Sequence, residues 1–181
     1  DGVFGKYLMS ALLTGYNSGN MEQQLYWDGA VVRNAAGHWL GTVSINPGGV
    51  DYYRNPGFEC AWSHFHHPEN RCFTLADLSG DGMPEIVIGR VDGCVVAYAA
   101  GTGEVVARVT LDGELRSLAT WETGVLAGTE HGLFLLGRDL RPITSHPGAV
   151  EDVVAAVRPG ADPLVVAALS DGRVMAFKVV P

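Results

Sequence analysis

"EIVIGRVDGCVVAY", residues 85–98, is two short apolar runs joined at an Asp-Gly corner. "GVLAGTEHGLFLLG" (124–137) and "PLVVAALSDGRVMAF" (163–177) follow the same plan: apolar strand, small residue, a few variable positions, a His-Gly or Asp-Gly corner, second apolar strand. The corner glycines Gly93, Gly132 and Gly172 return at a nearly constant interval. Asp-Gly suits a two-residue hairpin turn, where both central residues take positive φ. Helical periodicity is almost absent, and Val, Ile, Leu and aromatic residues recur in short runs cut by turns. That is an all-β pattern.

Working outward, "QQLYWDGAVVRNAAGHWLGTV" (23–43) reads as an earlier copy with its corner at Gly29. The step from Gly29 to Gly93 exceeds the common interval by more than half. The excess is placed in an inserted loop at 46–70. Repeat units then fall near 6–45, 71–110, 111–146 and 147–181, within a single domain or fragment spanning 1–181. A period of about 40 residues with several short strands per unit is that of a β-propeller blade. The expected fold is an all-β propeller of about four antiparallel four-stranded blades. A two-layer sandwich of hairpins is the competitor, although its strands need not repeat at a fixed interval. The last unit ends after "RVMAFKVV", one strand short. Either "KYLMSALLTG" (6–15) supplies that strand, or the ring is incomplete and self-association or another chain completes it. An uncovered strand edge invites association.

The chain has 181 residues, 12 basic and 20 acidic, for a net charge of −8. An acidic balance argues against nucleic acid and anionic membrane surfaces as partners. No apolar stretch is long enough to span a bilayer, which takes about 20 residues. The first residue is Asp1, with no signal peptide visible, as in a processed product or a piece of something longer. Three cysteines leave two readings: reduced thiols, or a Cys60–Cys72 bridge in an oxidising compartment.

With the repeat in place, "FTLADLSGDGMPEIVIGRVDGCVVAYAAGTGEVV" (73–106) resembles the FG-GAP/VCBS repeat of integrin-α-type and bacterial extracellular propellers, most specifically at "DLSGDGMPEIVIG". The resemblance implies a secreted, periplasmic or cell-surface protein. It also implies a calcium ion in the loop joining the first two strands of a blade. Calcium takes six to eight oxygen ligands, which a tight loop delivers from alternate residues. Asp77, Ser79, Asp81 and Glu85 stand at positions 1, 3, 5 and 9, with the Met83 carbonyl at position 7. Ser79 and Glu85 depart from the usual Asp or Asn, and fewer carboxylates hold calcium less tightly. The other reading is an Asp-rich turn whose side chains cap backbone N–H groups without a metal.

Residues 46–70 are crowded with aromatic residues and histidines. Tyr52, Tyr53, Phe58, Trp62, Phe65 and His67 are the candidate contacts to a protein or carbohydrate partner. His64 and His66 can share one side of an extended strand and form a weak transition-metal pair; hydrogen bonding of these imidazoles to backbone is the plainer use. No GxSxG, P-loop or dinucleotide fingerprint is present. The function expected is non-catalytic: a rigid disc presenting loops to a partner, as a subunit or fragment of a larger extracytoplasmic assembly. The alternative is the propeller part of an enzyme, quinoprotein-like or polysaccharide-active, since "VVAYAAGTGEVVARV" (95–109) also resembles the quinoprotein repeat. There, Ala107 replaces the Trp that docks one blade on the next.

Overall fold

The computed structural model describes residues 28–65, 68–122, 124–156 and 164–178. All regular structure among them is antiparallel β, in four sheets that follow one another along the chain. The first sheet holds β1 (Asp28–Arg33), β2 (Trp39–Asn46), β3 (Gly49–Arg54) and β4 (Glu59–Phe65). The second holds β5 (Asn70–Ala76), β6 (Glu85–Arg90), β7 (Cys94–Ala99) and β8 (Val105–Thr110). β9 (Leu115–Trp121), β10 (Gly124–Thr129), β11 (Gly132–Leu136) and β12 (Pro142–Pro147) form the third. In the fourth, β13 (Val150–Ala156), β14 (Leu164–Leu169) and β15 (Val174–Lys178) give three strands among the described residues. Each sheet is a meander whose strands pair in sequence order. None of the described residues forms a helix long and apolar enough to cross a membrane.

The structure corrects the expected insertion. Residues 46–70 are no loop between blades: they supply β3 and β4 of the first sheet. Gly29 lies within β1, opposite Ser44, and is not a hairpin corner. The counterpart of Gly93 is Gly49, at the head of β3, and with that substitution the corners return at one interval through all four sheets, slightly longer at the first step. The expected unit at 6–45 begins outside the described residues, as does the proposed closing strand at 6–15.

The corners also differ in type from the expected turn. Gly93 and Gly172 sit at φ +80° and +84°, but neither Asp92 nor Asp171 has positive φ. Gly93 N–H donates to Arg90 O, and the Asp92 carboxylate accepts Cys94 N–H at 3.1 Å. This is a three-residue hairpin ending in a left-handed glycine. A side chain at Gly93 is doubly excluded, because its Cβ would lie 2.4 Å from Leu111 O.

Three buried clusters hold the sheets together, each shared by two neighbours. Ile86, Ile88, Val96 and Tyr98 of the second sheet pack on Val32, Val43, Val50 and Tyr52 of the first. The intervening Val87, Val95 and Ala97 face the other way, onto Leu115, Val125 and Ala127 of the third. Leu126, Leu133 and Leu135 then meet Val150, Val153, Val165 and Ala167 of the fourth. Successive side chains of a strand point to opposite faces. A sheet covered on both faces therefore has no polar side, which is why "EIVIG" and "GVLAGT" read as unbroken apolar runs. Gly89 and Gly128 let the next sheet approach closely. A Cβ on Gly89 would lie 2.7 Å from Cys72 Sγ and 3.2 Å from Leu115 Cγ, and one on Gly128 would lie 2.6 Å from Val150 Cγ1.

Candidate functional site

The turns after β1, β3, β5, β7, β9 and β11 all emerge at one end of the sheets, and most of the residues singled out in the sequence are carried there or just below it. The 77–85 loop is held by its own carboxylates. Asp77 Oδ1 accepts Gly80 N–H at 2.7 Å, Asp77 Oδ2 accepts Gly82 N–H at 3.0 Å, and Asp81 Oδ1 accepts Met83 N–H at 2.7 Å. The Ser79 hydroxyl donates to Asp77 Oδ1 at 3.4 Å. Glu85, although buried at the head of β6, is satisfied: its Oε2 accepts Leu78 N–H at 2.7 Å and Ser79 N–H at 3.3 Å. Gly80 and Gly82 take φ +77° and +82° to close the turn. Among the described residues, no three His, Cys, Asp or Glu side chains gather so as to hold a metal ion. Calcium here would have to count on the Ser79 hydroxyl and the Met83 carbonyl as well.

The loop docks on its neighbours. Gly82 O accepts Ala35 N–H from the β1–β2 turn at 2.8 Å, and the Arg138 guanidinium lies over Gly80.

The aromatic stretch packs inward for the most part. Tyr52 is buried in the core between the first and second sheets, and burial pushes its hydroxyl pKa up, with Arg54 pulling the other way. Trp62 stacks on Tyr52 with centroids 5.7 Å apart, and its indole N–H donates to Ala100 O at 2.8 Å. His64 stacks on Tyr98 at 4.8 Å, and its Nε2 lies 2.7 Å from Gly103 O. A carbonyl only accepts, so that nitrogen is the N–H and is committed to donation rather than to a metal. Both side chains of β4 thus bond the β7–β8 turn of the next sheet, where a Cβ on Gly103 would run into the Trp62 ring at 2.7 Å. Tyr53 is half-buried opposite Thr42. Phe65 is 90% exposed and Phe58 47% exposed. His66 and His67 lie outside the described residues.

Of the two readings of the cysteines, the structure has the reduced one: Cys60, Cys72 and Cys94 are all free, with no Cys60–Cys72 bridge. Cys60 is exposed on β4, whereas Cys72 packs into the core between the second and third sheets. Burial pushes the Cys72 thiol up to about 12 despite Arg71, so it stays protonated near neutrality, and partial desolvation together with Asp51 raises Cys60 as well.

The sequence pattern does not single out Trp39, Arg33 and Arg54, which meet at the same end of the first sheet. Trp39 is 38% exposed, pairs in register with Arg33, and has Phe58 edge-on at 5.6 Å. The signal available is two aromatic residues beside two arginines, split between two separate turns.

No family model matches the chain, and no curated protein matches it. Solved structures do. The chain is similar to the computationally designed Ika4 protein, with a TM-score of 0.65 at 18% identity, covering 90% of this chain and 95% of that one. It is similar to Saccharomyces cerevisiae Sqt1, with a TM-score of 0.71 at 14% identity, covering 95% of this chain and 48% of that one. A third is BBS1N in complex with ARL6DN, with a TM-score of 0.64 at 15% identity and coverage of 83% and 50%. These neighbours are propeller-like. The fold is a β-propeller. The chain spans about half the length of Sqt1 and BBS1N.

Proposed function

We propose that this propeller is a non-catalytic binding module, a rigid stack of sheets whose turns are offered to a protein partner within a larger assembly. One observation carries the reading. The polar side chains that invite a chemical role, Asp77, Asp81, Glu85 and His64, are each spent on backbone groups of the turns they shape. They fix loops, and rigid loops are what a binding scaffold presents. Two similar structures are complexes by name, BBS1N with ARL6DN and the Mitotic Checkpoint Complex. An extracytoplasmic setting and a carbohydrate partner rest on the FG-GAP/VCBS resemblance alone.

Native mass spectrometry of the particle purified from its source is the test. Stoichiometric association with other chains is expected; a lone chain carrying a bound redox cofactor would overturn the proposal in favour of the enzyme.

Structural calcium at Asp77, Ser79, Asp81, Met83 and Glu85 belongs to the same proposal, supported by the alternation of oxygen-bearing positions. Adding Ca2+ to EDTA-treated protein should raise Tm by a few degrees through binding to the folded state. No rise at millimolar Ca2+ removes the ion.

A further inference from the structure

We draw no further inference here: the strongest candidate, the apolar face of the fourth sheet that carries Val154, Leu164 and Val174, carries nothing because nothing among the described residues shows what covers it.

Discussion

The second and fourth sheets share one strand plan and differ in what covers them. In the second, β6 and β7 are buried on both faces, by the first sheet on one side and the third on the other. In the fourth, only Val165, Ala167 and their neighbours are covered, by the third sheet. The opposite face carries Val154, Leu164 and Val174, exposed by 51%, 38% and 71%. Val154, Val166 and Ala176 form one cross-strand row there, and Ala168 and Val174 another. The same contrast appears at one repeated position. Gly89 in β6 and Gly128 in β10 lie under the neighbouring sheet, and the corresponding residue of β14, one period further on, is Ala168. A side chain returns where nothing among the described residues presses on the strand. What an amino acid contributes to stability is thus set by the next sheet, not by the local pattern.

The sharpest way to break this comparison is truncation. Ile88→Ala, in the core between the first and second sheets, should lower unfolding free energy by about 2–5 kcal/mol in urea, from lost burial plus the cavity left behind. Val174→Ala on the open face should stay within about 0.5 kcal/mol. Equal losses would mean that the fourth sheet is covered after all. Enlargement comes next: Gly128→Val should cost about 1–3 kcal/mol because its Cβ would meet Val150, whereas Ala168→Val should be near neutral.

A smaller effect separates the bonds that tie sheet to sheet. Trp62→Phe keeps an aromatic ring but removes the N–H donated to Ala100 O, and at least about 0.5–1.5 kcal/mol should be lost. Arg116→Ala removes the ion pair with Glu151 between third and fourth sheets, whose groups are 29% and 46% exposed, and less than about 1 kcal/mol is expected.

A separate effect concerns pH. The Cys72 thiol is raised from its ordinary value near 9 to about 12 in the folded protein. The folded state therefore holds this proton more tightly than the unfolded one. The stability it contributes is complete below about pH 9 and drains away as pH climbs towards 12. Urea midpoints measured from about pH 8 to 11 should fall, and fall less steeply in Cys72→Ala. Tyr52 and Tyr98, also raised by burial, add to the slope in both proteins.

The period is legible because Gly93 and Gly172 each occupy a backbone conformation that other residues resist, so the corner leaves a mark in the sequence. The first sheet hides itself for the complementary reason. Its corner at Gly49 follows "NPG", and its outer strand is "ECAWSHF" where β8 reads "VVARVT". Gly29 therefore stands in for Gly49 in the pattern, and two strands read as an insertion. The contacts that give β4 its aromatic character, Trp62 to Ala100 and His64 to Gly103, join residues 38 and 39 positions apart, and no local pattern announces them. Similarly, Asp77, Asp81 and Glu85 show an oxygen ladder in sequence, while the amides that they bond become visible only in the folded loop.

Because each hydrophobic cluster among the described residues belongs to just two adjacent sheets, cooperativity among these four sheets runs along a line rather than through one centre. Amide exchange should accordingly advance as a front: the protons of β14 and β15 go first, those between the second and third sheets last, and any domain fused beyond Lys178 inherits the weakest link in that line.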